Sequence, residues 1–469
     1  MMKSFKTFAL LTPSLLVLAA CSLAPKYQRA DLPVTDAWPV TAATAPAAAS
    51  STQVSWKALF LDPQLQATIG LALTNNRDLR VAALDITKAR ADYGVARAPL
   101  FPSLDGTFAA SRTHIGDNAA AAEGVRATST SYAPDLGLAW QLDLFGKIRS
   151  LSQAARESFF AAQANRDAVE ITLIGETASA WLTYAGDADA LRVAQQTEKT
   201  TKDTFDIASA QARIGTVSDL DLATFKTEYE TTREATLAAQ TQLDKDKDAL
   251  VLLVGAPVGD DLLPSGLKTG QVADSLPIGL PSQVLLDRPD VLSSEHDLKA
   301  ANADIGAARA AFFPTISLTG AAGSASSELG QLFKAGNNTW SYGGTAAVPI
   351  FTGGANLFGL RSAKASRDIA LAQYQKAIQS AFRDVSDALA VRSRIDERLD
   401  AQSQATDAAG TAFKLSQARY QNGTDSYLTL LTAERTLFSA QQSLISLQAL
   451  RATNLSDLYQ AIGNDGSLR

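Results

Sequence analysis

Twelve residues occur twice in this chain. Ala91-Asp92-Tyr93-Gly94-Val95-Ala96-Arg97-Ala98-Pro99-Leu100-Phe101-Pro102 returns 212 positions later as Ala303-Asp304-Ile305-Gly306-Ala307-Ala308-Arg309-Ala310-Ala311-Phe312-Phe313-Pro314, with eight of the twelve positions identical. Each copy passes from an Ala-rich, helix-compatible run into Phe-Pro. Proline biases the residue before it away from the helical region, so each copy reads as a helix-to-strand joint. A duplicated joint implies a duplicated unit, which excludes most single-copy folds.

The segments after each joint are duplicated too. Leu104, Gly106, Phe108 and Ala110 alternate with polar or small residues, as do Leu136, Leu138, Trp140, Leu142 and Leu144 within Asp135 to Leu144. In the second copy Ile316, Leu318, Gly320 and Ala322 alternate, and then Trp340, Tyr342, Gly344, Ala346, Val348 and Ile350. Period-two patterning predicts four strands, each with one apolar face. Strands of about ten residues are long enough to cross a bilayer when tilted, but an open sheet edge is not tolerated in lipid. A membrane reading therefore needs several chains to share one barrel; a soluble hairpin with one wet face is the alternative. Thr113 to Ser131 is polar and Ala-rich and reads as an exposed loop.

Long helices come next. No proline occurs from Asp135 to Ala256 or from Ile350 onward, and Lys147 to Arg213 and Ala355 to Gln421 each read as one helix. At ~1.5 Å per residue each would run for about 100 Å, a length typical of coiled coils and tubular packing. Each ends in a turn. Gly215 and Gly423 suit a position of positive φ, and Ser218 and Ser426 suit an N-cap. The returning helices carry a heptad, Leu222, Tyr229, Thr236, Leu243 and Leu250, matched 208 positions later by Leu430, Leu437, Leu444, Arg451 and Leu458. They end at Gly255 and Gly463. The helix before the first joint is expected from Pro63 to Arg97 without a break. The organisation is then a first repeat at 61–255, an irregular linker at 256–283, a second repeat at 284–463 and a tail at 464–469.

The beginning of the chain reads as an address. Lys3 and Lys6 precede an apolar run, Phe8 to Leu18, that is too short to span a bilayer, and Leu18-Ala19-Ala20-Cys21 ends it. An ordinary signal peptide with a chance cysteine is one reading. The tetrapeptide also resembles a bacterial lipobox, which implies a signal peptide at 1–20, a lipidated Cys21 and, with Ser22 following, sorting to the outer membrane. Residues 21–60 then form a tether, rich in Ala, Pro, Ser and Thr, with packing expected only from Trp56.

Composition excludes most catalysis. Charged residues are 19% of 469, no basic tract suggests nucleic acid, and Cys21 is the only cysteine. Thiolate metal sites and cysteine nucleophiles have no candidates beyond it. The two histidines, His114 and His296, stand apart, and no phosphate loop follows a strand. The reading is no enzyme, no metal site and no cofactor other than the lipid on Cys21.

At this point the chain resembles the bacterial outer membrane factor family, the TolC/OprM-like efflux channels, in its lipoprotein branch. The resemblance rests on Leu280-Pro281-Ser282-Gln283-Val284-Leu285-Leu286-Asp287-Arg288-Pro289-Asp290, on Trp140 to Lys147, on Pro349 to Gly354, and on Arg419-Tyr420 through Ala433-Glu434-Arg435. It implies an internally duplicated α+β membrane protein. Three copies would make a twelve-stranded outer-membrane β-barrel continued by a periplasmic α-helical barrel, with a small mixed equatorial region. It implies a passive duct for drugs or similar small molecules, docked to a periplasmic adaptor and an inner-membrane pump of the RND or similar type. A metal-efflux channel, a type I protein-secretion channel, or a coiled-coil spacer lipoprotein without a pore are the alternatives. The turns Gly215, Thr216, Val217, Ser218 and Gly423, Thr424, Asp425, Ser426 would meet the adaptor. Asp221, Asp425, Tyr420 and Arg419 are candidate gate residues, with Arg419 and Tyr420 latching neighbouring helices. Thr429 and Thr432 stand where relatives often carry Asp. Arg288 and Asp290 would fix a helix start that Asp287 could cap.

Overall fold

The computed structural model describes residues 23–29, 32–35, 38, 55–124, 126–273 and 282–463. The signal segment at 1–20, Cys21, Leu280-Pro281 and the tail at 464–469 lie outside the described residues. In chain order the helices are α1 (Trp56–Leu59), α2 (Pro63–Asn75), α3 (Arg77–Arg97), α4 (Asp117–Glu123), α5 (Lys147–Arg213), α6 (Asp219–Val254), α7 (Pro289–Ala310), α8 (Ala355–Gln421) and α9 (Tyr427–Ile462). The strands are β1 (Ser103–His114), β2 (Thr128–Leu142), β3 (Thr315–Ser324) and β4 (Asn338–Ala347).

The duplication is carried into the helices without slippage. α5 and α8 are 67 residues each, α6 and α9 are 36 each, and both pairs are 208 positions apart. The heptad positions of α6 and α9 are all half-buried or buried, as a seam facing neighbouring helices requires. Gly255 and Gly463 end the two helices in the left-handed conformation.

The chain divides into two compact units. The first draws on Met1–Ala30, Asp85–Ala162 and Ser294–Tyr374. It holds a four-stranded sheet, antiparallel in the order β1-β2-β3-β4, in which β2 and β3 join the two repeats. The register puts Leu104 opposite Leu138, Leu138 opposite Gly320 and Gly320 opposite Tyr342, while Trp140 pairs with Leu318 and Ala322 with Trp340. All of these therefore share one face. The intervening row places Ser103, Ala139, Thr319 and Gly343 on the other, and the next places Asp105, Gly137, Ala321 and Ser341 there. The joints are braced. Phe145 stacks on Phe313 at 4.8 Å, and Asp143 accepts from the Ile148 and Arg149 amides at 3.0 and 2.9 Å, satisfying the free N–H groups that open α5.

The second unit comprises Asp31–Leu84, Gln163–Ser293 and Gln375–Arg469. Trp181 is fully buried on α5 and donates to the Leu262 carbonyl at 2.9 Å, and Asp189 accepts from the Leu267 amide at 3.0 Å. The same linker makes an antiparallel bridge from Val272 to Phe60. The linker expected to be irregular is thus pinned to α5 and to the segment after α1.

Several expectations need correction. The helix from Pro63 to Arg97 is broken at Asn76. This residue ends α2, accepts from the Leu79 amide at 2.9 Å to start α3, and donates to the Leu253 carbonyl at 2.7 Å. One asparagine serves as cap twice, which the absence of proline could not reveal. The loop at Thr113 to Ser131 carries the end of β1, all of α4 and the start of β2. The strand expected to reach Ile350 ends at Ala347, ahead of Pro349, and the one expected to run from Asp135 to Leu144 runs from Thr128 to Leu142. Asp287 closes a short 3-10 turn, and at the start of α7 Arg288 pairs with Asp290 at 2.8 Å instead. The tether is not loose over its first described part, because residues 23–29 are bonded to α7.

Candidate functional site

The two helix-reversing turns are closed by the same set of bonds at the glycine, threonine and serine. After α5 the Gly215 amide donates to the Ala212 carbonyl at 3.0 Å and the Thr216 amide to the Gln211 carbonyl at 3.0 Å. After α8 the Gly423 amide donates to Tyr420 at 2.9 Å and the Thr424 amide to Arg419 at 2.9 Å. This is the Schellman arrangement, with the glycine at C′. Gly215 and Gly423 have φ of 81° and 72°, a region costly for residues with a Cβ. The Thr216 and Thr424 hydroxyls add a second bond to the same carbonyls at 3.0 and 2.9 Å. Ser218 and Ser426 then cap α6 and α9, accepting from the Asp221 and Thr429 amides at 3.1 and 3.3 Å.

Of the eight turn residues expected at the tips, the two glycines, threonines and serines thus have geometric tasks. The turns remain exposed, Val217 and Asp425 being half-buried. Ile214, Leu220 and Leu428 stand out beside them as large exposed apolar side chains.

The candidate gate residues separate in role. Asp221 accepts from the Ser218 hydroxyl at 2.7 Å, so it belongs to the cap of its own helix. Arg419 clasps Asp425 with both nitrogens, Nε to Oδ2 at 2.8 Å and Nη2 to Oδ1 at 2.9 Å. Within the chain Arg419, expected to latch a neighbouring helix, closes its own turn. The equivalents in the first turn are Gln211 and Val217, so this ion pair has no counterpart there. Tyr420 packs against Tyr427 of α9 with ring centroids 5.9 Å apart. Burial raises the Tyr420 phenol pKa, and the charge of Asp221 adds to this.

Below the turns lies a cluster that no sequence motif assigns. Phe225 of α6 meets Tyr427 of α9 at 3.7 Å between centroids. Arg435 of α9 donates from Nε to Glu228 of α6 at 3.1 Å, and Glu228 is only 3% exposed. Beside them Glu434 is buried. Burial, then repulsion by Glu228, pushes its carboxyl pKa up to about 7 against the pull of Arg435. Burial likewise raises the Tyr427 phenol, with the charges of Glu434 and Glu228 contributing. The available sequence signal is Glu434-Arg435, within a stretch that stands out only by its family resemblance; Glu228 carries no local signal.

His296 and Glu157 are joined at 2.8 Å, and His114 bonds Thr128 at 2.9 Å across the β1–β2 ladder. Among the described residues no cluster of three or more metal-ligating groups occurs, and no helix is long and apolar enough to cross a membrane.

Comparison with known proteins gives a consistent result. The family model described as outer membrane efflux protein matches residues 68–256 and 280–464. The toluene efflux pump outer membrane protein TtgC of Pseudomonas putida is 39% identical over 463 residues, covering 98% of this chain and 95% of TtgC. The probable outer membrane lipoprotein SilC of Salmonella typhimurium is 36% identical over 464 residues, covering 98% and 99%. Among solved structures, the open state of the Neisseria gonorrhoeae MtrE outer membrane channel superposes with a TM-score of 0.83 at 37% identity, covering 95% of this chain and 98% of MtrE.

Proposed function

The chain belongs to the outer membrane efflux protein family, and we propose that three copies of it form a passive exit duct through the outer membrane. The observation that carries this reading is the sheet. Leu104, Phe108, Trp340 and Tyr342 on its apolar face are 67%, 60%, 74% and 82% exposed, so nothing among the described residues covers them. The opposite face is small and polar. β1 and β4 each leave one edge unpaired. Four strands cannot close a barrel, and lipid does not tolerate unpaired backbone groups. Three such sheets joined edge to edge give twelve strands, within the range of outer-membrane barrels, with the apolar face to lipid and the polar face to the lumen.

The duct carries molecules driven by others, as its membership of a family of efflux-pump outer membrane components supports. An inner-membrane pump supplies the energy, and a periplasmic adaptor docks on the exposed turns at 214–220 and 422–428. Relatives named for toluene efflux support small apolar or amphipathic molecules as cargo. The name of SilC supports lipidation, here at Cys21. A pore-free spacer has no use for a four-stranded sheet with an uncovered apolar face.

Planar-bilayer recording of the purified full-length protein tests the duct. Discrete conductance steps are expected, larger when the Arg419–Asp425 clasp is removed by Asp425→Ala. Silence from both proteins sinks the reading.

A further inference from the structure

The segment Leu23–Arg29 lies in a stretch expected to be slack, yet it is keyed to α7 along its whole length. The Arg309 guanidinium donates to the Leu23 carbonyl at 2.9 Å, and the Asn302 amide donates to the Pro25 carbonyl at 2.7 Å. The Tyr27 hydroxyl donates to Glu295 at 2.9 Å, and Arg29 donates to the same carboxylate from Nε at 3.0 Å and from Nη2 at 2.5 Å. Lys299 approaches Glu295 at 3.3 Å and lies 5.2 Å from the centre of the Tyr27 ring. Four side chains of one helix face, at 295, 299, 302 and 309, thus receive one extended strap.

Two features mark this as a built seat. Glu295 is 2% exposed. A carboxylate that deep needs partners, and the strap supplies two of them. Gly306 is the second feature. A Cβ there would lie 2.8 Å from the Ala24 nitrogen and 2.7 Å from the Ser150 hydroxyl. The strap backbone occupies the space that a side chain would take. Gly94, its counterpart in the first copy of the repeat, has nothing within 4 Å of such a Cβ among the described residues. The same glycine therefore does different work in the two copies, and only the second seats the strap.

We propose that Leu23–Arg29 is a clasp that holds the lipidated N-terminus at a fixed height, where α7 gives way to β3. Arg309 holds Leu23, and β3 begins at Thr315. Cys21 is two residues before Leu23, so its backbone is within about 7 Å of it at ~3.3–3.6 Å per residue. Acyl chains on Cys21 would enter the membrane beside the point where the strand enters it. The clasp sets the sheet and the anchor in register before the sheet edges meet those of other copies. This inference rests on the lipid reading of Cys21 proposed above.

The test uses the full-length protein from outer membranes, in detergent, as the parent and as Arg29→Ala, Arg29→Lys and Gly306→Val. Trypsin cleavage after Lys26 reports release of the strap, since the bond must leave its seat to enter a protease. Arg29→Ala and Gly306→Val are expected to be cut at least about tenfold faster than the parent, and Arg29→Lys close to the parent. The two fast variants should also yield several-fold less trimer in the membrane while the Cys21–Lys26 fragment keeps its acyl mass. Equal cleavage of all four proteins overturns the clasp. A released strap with undiminished membrane trimer overturns its positioning role. A protected strap on an unacylated fragment overturns the lipid reading alone. Arg29→Ala leaves α7 untouched, so it separates the clasp from any folding defect of Gly306→Val.

Discussion

Glu434 is a carboxylate whose proton the fold holds into the neutral range. Its pKa rises from 4.5 to about 7, chiefly through burial. A raised carboxyl pKa means that the folded state binds the proton more tightly. Stability from this site is full below pH 4.5 and is lost as pH rises through about 7. Thermal melts of the purified protein should therefore weaken between pH 5 and 8. Glu434→Gln should flatten that slope and raise the midpoint at pH 8. The stability at stake is on the order of 1–3 kcal/mol, reduced to the extent that Arg435 and Glu228 respond as well. An unchanged slope would assign the dependence elsewhere. Gly423 makes a second residue-scale prediction. Gly423→Val places a β-branched side chain at φ 72°, which costs about 1–2 kcal/mol at an exposed turn. Export measured by drug susceptibility should fall while the amount of membrane trimer stays constant; undiminished export would argue against a role for the tip.

At the scale of elements, the two hairpins share geometry but differ in how they are tied. α5 and α6 meet through Phe205 and Tyr229, stacked at 5.9 Å, and through the Thr201 and Thr232 hydroxyls at 2.6 Å. Asp187 of α5 adds a proton-dependent tie. Burial, then a hydrogen bond and repulsion from Asp246 of α6, pushes its carboxyl pKa to about 7. Two carboxylates sharing one proton hold together at low pH and repel when both ionise. Hydrogen exchange along α5 and α6 should therefore quicken as pH rises from about 4 to above 7, after correction for the intrinsic rate. Asp187→Asn should abolish the excess. The N-caps give a simpler prediction. Ser218→Ala and Ser426→Ala should each cost about 1 kcal/mol, read as a lowered melting temperature. The serines were legible as caps from their place just after the turn glycines. The shared proton was not, because Asp187 and Asp246 are distant in sequence and nothing local pairs them.

At the scale of the whole molecule, neighbouring residues of one strand should respond in opposite ways. Leu138 lies on the apolar face and Ala139 on the polar one. Leu138→Arg should cost up to about 2–4 kcal/mol of insertion and deplete membrane trimer, whereas Ala139→Arg should insert and alter conductance. Equal insertion of both would place neither face in lipid.

Periodicity and spacing alone determined the duplication, the length of α5 and α8, the turn glycines, the capping serines and the alternating strands. Each is a property of neighbours in sequence: a period of two or seven, a missing proline, a glycine where φ must be positive. Tertiary structure decided the rest. It placed Glu228 against Arg435 across 207 positions and Tyr27 and Arg29 against Glu295 across 268 and 266. It closed Arg419 onto Asp425 within one turn, broke a proline-free helix at Asn76, and gave Gly306 a strap to seat while none of the described residues covers Gly94. Long-range contacts of this kind depend on which faces meet after folding, and burial then alters the chemistry of the groups enclosed. A local pattern carries no record of either.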